Sequence, residues 1–395
     1  MKLAVIGGGW AGIAAAVRAV QAGHEVALIE MAPRLGGRAR SLDDGLDCGQ
    51  HILIGAYRKS LALMRLVGVD PAQALLRLPL QLRGPRGDGL QLPAGPAVPA
   101  FVRGVLAHRG WPLGTRLALL ARAGRWMAAG FRCDPALSVA VLCQGLPAVL
   151  LTQLVEPLCV AALNTPMAEA SATVFLRVLK DALFAGPGGA DLLLPRVPLA
   201  ELLARPAEIW LREHGARVET GRRLASLDEL AAFDRVVVAT SSVEAARLVE
   251  PLDAGWSQTA RRLRFEPICT VYVDAPGARL PAPMTMLTEG PAQFVFGHQP
   301  GLLAFSISAA APWVERGLDA TGDAVLAQAR SQLCIADARV RRVLAEKRAT
   351  FACTPGLQRP PARIDSRIAV AGDYVEGPYP ATLEGAVLSG LAAVA

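Results

Sequence analysis

Residues 1–30, MKLAVIGGGWAGIAAAVRAVQAGHEVALIE, read as strand, turn, helix and strand. Leu3 to Ile6 are apolar and partly β-branched, as expected of a parallel strand buried on both faces. Ala11 to Ala22 is rich in helix formers, interrupted only by Gly12, and Gly23 supplies a stop. Glu25 to Ile29 is a second apolar strand, closed by Glu30. Gly7, Gly9 and Gly12 fit G-x-G-x-x-G at the strand-to-helix turn. Gly7 permits the tight turn, Gly9 lets the backbone approach a pyrophosphate, and Gly12 lets the helix lie close to the sheet. The helix start offers free N–H groups and partial positive charge to phosphates. Glu30 follows at about the ~20-residue interval of the carboxylate that binds ribose hydroxyls. The glycine spacing alone is weak. Its place in a βαβ unit, with the acid, points to a dinucleotide.

The next segment bears on which dinucleotide. Residues 31–41, MAPRLGGRARS, bring Gly36, Gly37 and Arg38 directly after the ribose acid. A glycine pair followed by arginine here resembles the second signature of the two-dinucleotide-binding-domain flavoproteins. An NAD-only domain does not need it. The resemblance implies FAD, with Gly37 and Arg38 near its phosphates. Residues 367–395, RIAVAGDYVEGPYPATLEGAVLSGLAAVA, supply a third piece. Ile368 to Ala371 is a short strand, Gly372 and Asp373 follow, and a helix starts near Ala381 or Thr382 with Glu384 in its first turn. In that family the Gly-Asp pair holds the ribityl and pyrophosphate region, and the helix start points at the isoalloxazine. Both chain ends therefore read as walls of one FAD site.

The expected fold class is α/β. It combines a Rossmann-like FAD-binding domain with a discontinuous substrate domain of helices plus a mostly antiparallel sheet. Residues 1–85, 200–260 and 351–395 are expected to form the FAD-binding domain, 86–199 a helical cap, and 261–350 the substrate sheet. Phe101 to about Leu199 reads as helical, with apolar faces suited to a lipid-like pocket. Val218 to Leu227 and Arg235 to Thr240 read as strand, turn, strand. The flavoprotein resemblance places Leu224 near the adenine. RFEPICTVYVD, AQFVFGH and LLAFSISA alternate as antiparallel strands.

Composition narrows the function classes. Of 395 residues, 52% are hydrophobic and only 19% charged, yet no run of ~18 uncharged apolar residues marks a membrane span. A strand begins at once, so no signal peptide is expected. Seven scattered cysteines without C-x-x-C suit reduced thiols in a cytoplasmic protein, and the five histidines show no metal-ligand spacing, so no metal is expected. The net charge is +7, but the arginines read as dispersed and aromatics are 5%, which argues against nucleic acid. A GC-rich genome, or a basic face at an anionic membrane, would each account for the charge.

The whole chain resembles the amine oxidase and phytoene desaturase flavoproteins. More narrowly, it resembles the squalene-associated FAD-dependent desaturase group, the hydroxysqualene dehydroxylases. The residues carrying this are LDCGQHILIGAYRKSLALMRLVG at 46–68 and AGDYVEGPYPATLEGAVLSG at 371–390. One departure is Cys48, where a small polar residue is expected. The resemblance implies non-covalent FAD and reductive removal of the hydroxyl of hydroxysqualene to give squalene, for hopanoid or other triterpenoid synthesis. It also implies an apolar polyisoprenoid substrate and contact with the upstream squalene-pathway synthases. His51 and Tyr57 are the candidates to protonate the leaving hydroxyl. Tyr379 could wall the flavin, and Asp47 could orient His51 or cap a turn. His298 lies on a predicted strand and could reach the pocket or sit at a surface strand end. A carotenoid-type polyisoprenoid desaturase or isomerase, a flavin amine oxidase, and a non-catalytic flavin-containing partner of isoprenoid synthases share parts of this pattern.

Overall fold

The apolar run at the N-terminus becomes an interior strand of a parallel sheet. The computed structural model describes residues 1–184 and 186–395. Strand β1 (Lys2–Ile6) leads into helix α1 (Trp10–Gln21) and strand β2 (Glu25–Ile29), which pairs with β1 in parallel. Leu3, Ala4 and Val5 are fully buried. Burying one Val or Leu side chain contributes roughly 1.5–3 kcal/mol relative to leaving it exposed, enough to hold this strand central. After helix α2 (Arg58–Leu66) come two amphipathic helices, α3 (Ala97–Ala107) and α4 (Leu113–Ala128), then α5 (Ala172–Phe184) and α6 (Arg205–Glu213). Strands β3 (Arg217–Glu219) and β4 (Arg235–Val238) return to the parallel sheet.

A second sheet follows. Its strands are β5 (Phe265–Asp274), β6 (Met284–Met286), β7 (Phe294–Gln299), β8 (Leu302–Ile307) and β9 (Arg339–Phe351). They pair antiparallel throughout, in the order β6-β7-β8-β5-β9, and helix α7 (Leu318–Leu333) lies between β8 and β9 in sequence. Strand β10 (Ile368–Val370) then completes the parallel sheet beside β4, and helix α8 (Leu383–Ala392) closes the chain. The parallel order is β10-β4-β1-β2-β3. Helix α8 packs on α1, and Gly390 makes the close approach: a Cβ there would overlap the Ala11 carbonyl oxygen.

Two sequence expectations are corrected in detail. The strand expected over 218–227 ends at Glu219. Gly221 takes φ +74°, and Ser226 with Glu229 forms a capping box that starts a short 3-10 turn at Leu227. Phe101 to Leu199 is not helical throughout. Leu192–Pro195, a four-residue run too short for a helix, is the central strand of a three-stranded sheet, pairing antiparallel with Leu53–Ile54 and Leu75–Leu78.

Three apolar clusters fill the interior. One surrounds α1 on one face of the parallel sheet. Another lies between the second sheet and α7. The largest joins the other face of the parallel sheet, the inner faces of α3 to α5 and the near face of the antiparallel sheet. The candidate site borders this last cluster.

Candidate active site

The carboxyl ends of adjacent parallel strands gather the expected cofactor residues on one edge. Gly7 follows β1, Glu30 follows β2, Leu224 lies just beyond β3, and Gly372 and Asp373 follow β10. Ligands of open α/β sheets bind on this edge.

The glycines act as their positions require. Gly7 has φ +101°, and a Cβ there would collide with the Ala239 carbonyl. A Cβ on Gly12 would overlap the Gly7 carbonyl oxygen, so only glycine lets α1 lie this close to β1. Gly9 differs: a Cβ there would find nothing nearer than Gly37 Cα at 3.9 Å. The first glycine loop thus faces the second. Gly36 N–H donates to the Gly8 carbonyl at 2.8 Å, and Gly9 bridges Gly36 in parallel. No side chain caps the start of α1. Its first N–H groups therefore remain for an anion, as they must in any dinucleotide cradle.

Glu30 is 8% exposed and ties the loop together. It accepts from Gly8 N–H at 2.5 Å and from Ala32 N–H at 2.7 Å. Gly221 N–H donates to the Ala32 carbonyl and Arg222 N–H to the Glu30 carbonyl, which seats the 221–224 segment against the acid. Leu224 is buried there, in the same cluster as Ile6 and Ile29.

The second and third sequence signatures meet directly. Arg38 Nη2 donates to Asp373 Oδ2 at 2.6 Å, and its other amino group reaches the Ala349 carbonyl. Burial draws the Arg38 pKa down, but Asp373, by charge and hydrogen bond, with Glu346 and Tyr374, outweighs it and holds the guanidinium above its usual range. Gly372 N–H donates to Ser389 Oγ on α8. Gly9 and Gly37 thus face each other beside an uncapped helix start, the Glu30 carboxylate is a buried acceptor, and Arg38 is held by Asp373: backbone donors, an acceptor and a cation of the kinds a dinucleotide would use. Trp10 Nε1 and Tyr374 Oη are buried beside these elements without a partner among the described residues.

Glu384 positions Tyr57. The carboxylate, 7% exposed in the first turn of α8, accepts from Lys59 N–H, Ser60 N–H and Ser60 Oγ, capping α2 from outside. Tyr57 stands at the N-cap of α2. Thr382 caps α8 by accepting from Gly385 N–H at 3.0 Å. Burial, then the Glu384 charge, pushes the Tyr57 pKa far up, so the phenol stays protonated. Tyr379 Oη accepts from Arg177 at 3.0 Å, and the guanidinium also stacks over its ring.

His51 lies on the segment that crosses beneath the antiparallel sheet. Its Nδ1 stands 3.3 Å from the Gly49 carbonyl, which only accepts, so Nδ1 carries the proton and Nε2 is the free nitrogen. Burial lowers its pKa below the usual histidine value, partly offset by that hydrogen bond and by the Asp47 charge. Asp47 makes no hydrogen bond to the ring. Its Oδ1 accepts from Ser41 Oγ at 2.6 Å and Leu199 N–H at 3.0 Å, the turn-capping alternative.

Two residues here had not been singled out from the sequence. Tyr272 on β5 is fully buried, and its hydroxyl donates to the Asp47 carbonyl at 2.9 Å and takes a hydrogen bond from Gln50. Thr270, two positions earlier on the same strand face, is 1% exposed, and its Oγ1 has no partner among the described residues. A Cβ on Gly49 would lie 3.6 Å from His51 Cε1 and 3.8 Å from Thr270 Oγ1. The available signal was Thr and Tyr at alternate positions of an apolar strand. His298, on β7, packs edge-on against Tyr272 at 5.2 Å.

Known proteins resemble this chain in sequence and in fold. Residues 5–67 match the NAD(P)-binding Rossmann-like domain. The hydroxysqualene dehydroxylase of Rhodopseudomonas palustris is 28% identical, over 98% of this chain and 96% of that protein. That of Sinorhizobium fredii is 27% identical, over 98% and 95%. The chain is similar to these hydroxysqualene dehydroxylases along nearly its whole length. Unlike these dehydroxylases, the zeta-carotene desaturase of Zea mays aligns over only 18% of the chain, at 39% identity, and 13% of that protein. Among solved structures, an oxidoreductase from Methanosarcina mazei superposes with TM-score 0.73 at 16% identity, covering 99% of both chains. Cyclohexylamine oxidase from Brevibacterium oxydans superposes with TM-score 0.66 at 18% identity, covering 100% of this chain and 97% of that one. These solved structures therefore share the two-sheet fold of this chain. No helix among the described residues is long and apolar enough to cross a membrane.

Proposed function

We propose that the protein is an FAD-dependent hydroxysqualene dehydroxylase, holding its flavin without a covalent bond. The supporting observation is similarity to that enzyme along nearly the whole chain, coupled to glycine loops and an Arg38–Asp373 pair suited to a dinucleotide. In the reaction the allylic C–O bond breaks and a C–H bond forms. The hydroxyl leaves as water after taking a proton, and two electrons enter the carbon skeleton. When bound, reduced flavin supplies those electrons as hydride.

The protein's own residues handle the proton and the water. His51 would hold the proton at Nε2, with Nδ1 fixed by the Gly49 carbonyl. Burial makes the imidazolium a stronger acid than free histidine, while the Asp47 charge favours its formation. Tyr57, whose pKa burial raises, would orient the leaving hydroxyl by hydrogen bonding rather than transfer its own proton. The apolar cluster along the inner faces of α3 to α5 would hold the isoprenoid chain and exclude water from an allylic cation. Burial raises the Cys48 and Cys353 thiols, Cys353 to about 12, which disfavours a thiolate tether to the flavin. Gly9, Gly12, Gly37 and Thr382 would contribute backbone or cap contacts to the cofactor.

The synthases that make hydroxysqualene would be the immediate suppliers of substrate, and the cytoplasmic face of the membrane is the proposed place of action. Incubating purified protein with hydroxysqualene in detergent and excess reductant, with product analysis, tests the reading. Squalene is the expected product. A desaturated product, or none, would reject it.

A further inference from the structure

The positive charge of this protein is concentrated. Between Asp88 and Asp134 the sequence carries six arginines and no carboxylate, so this stretch holds most of the +7 net charge. Elsewhere arginines are commonly paired, as in Arg223 and Arg247 with Glu244 or Arg261 with Glu250. Within the stretch, Arg116 and Arg122 are spent on backbone carbonyls that fix the ends of α3 and the 142–144 turn. Arg103, Arg109, Arg125 and Arg132 are exposed and form no ion pair among the described residues.

The same stretch exposes apolar side chains. Val102 and Leu106 on α3, and Leu113, Leu117 and Met127 on α4, are exposed, Leu113 to 61%. Val102 and Leu106 lie four apart, as do Leu113 and Leu117, so each pair forms a stripe along one helix face. Arg103 borders the first stripe, Arg125 continues the second, and Arg109 sits in the turn between them. The opposite faces carry Val105 and Leu119 into the large apolar cluster. One helix layer therefore separates an exposed apolar surface rimmed by unpaired arginines from the apolar interior.

We infer that the α3–α4 face docks on an anionic phospholipid surface. Apolar side chains would enter the acyl boundary while the arginines meet phosphate headgroups, the arrangement of an interfacial helix pair. A second copy of the chain is a poorer occupant, because a symmetric contact would oppose like-charged arginine faces. The relevance to substrate delivery rests on the polyisoprenoid reading above. The surface itself does not.

The experiment is co-flotation of the full-length protein with vesicles of phosphatidylglycerol and phosphatidylcholine in equal proportion, and with phosphatidylcholine alone, across a salt series. Binding to the anionic vesicles that weakens with salt is expected. The triple variant Arg103→Gln, Arg109→Gln, Arg125→Gln should bind roughly a hundredfold more weakly, at about fivefold per arginine. Leu113→Ser with Leu117→Ser should lower binding at least about tenfold. Both should keep the wild-type melting temperature. Failure of the wild type to float, binding that neither variant reduces, or a wild-type dimer that the leucine variant dissociates would each overturn the inference. Turnover of detergent-dispersed substrate is measured in parallel. A protein that turns over but does not float loses only the docking surface, and one that floats but does not turn over loses only the reaction.

Discussion

Arg38 and Asp373 lie 335 positions apart in the chain and meet at 2.6 Å. Their ion pair joins the loop after β2 to the loop after β10, so the two ends of the sequence share one wall of the site. Asp373 is 8% exposed, whereas 40% of the Arg38 side chain remains open. The pair is thus better suited to fixing geometry than to adding stability. Arg38→Ala and Asp373→Asn should each weaken flavin affinity about tenfold or more, and the double variant should be little worse than the weaker single one. Flavin titration of the four proteins measures this. Additive losses would separate the two residues' roles.

Gly9 and Gly12 should respond differently to alanine. Gly12→Ala places a methyl on the Gly7 carbonyl, so it should destabilise the fold by at least about 1–3 kcal/mol, as overpacking does. Gly9→Ala meets no protein atom closer than 3.9 Å, so it should fold normally yet lose flavin. Thermal unfolding and flavin content together decide. A Gly9→Ala protein with full flavin would mean that the dinucleotide does not approach there.

Glu30 has two tasks. Its carboxylate accepts from the Gly8 and Ala32 amides, and the same group is the one expected to face a ribose. Glu30→Ala should leave those donors unmet, costing about 1–3 kcal/mol of stability, and should lower flavin occupancy. Glu30→Gln keeps an acceptor and should restore most of the stability but not all of the affinity. Unchanged flavin occupancy in Glu30→Ala would refute the ribose role.

Much of this site was legible because its motifs are local. Gly7 takes its positive φ at the strand-to-helix turn, Gly12 answers a backbone contact within one βαβ unit, and Thr382 caps its own helix. The convergence of Arg38 with Asp373 could be expected only through family resemblance, since no spacing rule links residues so far apart. Thr270 and Tyr272 escaped notice because an alternating strand pattern does not say which element its polar positions face. The strand expected through Leu227 failed for a local reason: the Ser226–Glu229 capping box and Gly221 compete with strand extension. The concentration of arginine between Asp88 and Asp134 is visible in the sequence once the carboxylates are counted with it; the helix faces add that Arg103 and Arg125 stand beside exposed apolar side chains.

His51 carries the pH dependence. Burial lowers its folded-state pKa below the unfolded value of about 6.5. The unfolded chain therefore takes up this proton first as pH falls. The stabilisation of the flavin-free protein by neutral His51 is complete above about pH 6.5 and is lost as pH falls toward the folded pKa. His51→Gln should flatten that part of the stability profile. If His51 is also the acid, turnover should decline as pH rises, and His51→Ala should slow the chemical step by about 10²–10⁴-fold while retaining flavin. Turnover at the wild-type rate would remove it as the acid.

In the proposed reaction the bound flavin gives its electrons to hydroxysqualene. The direct measurement is anaerobic: reduce the purified holoprotein with one equivalent of dithionite, add hydroxysqualene in detergent, and follow the flavin spectrum and the product together. Reoxidation is expected, with one squalene formed per flavin. Bound flavin that stays reduced, with the substrate recovered unchanged, would contradict it.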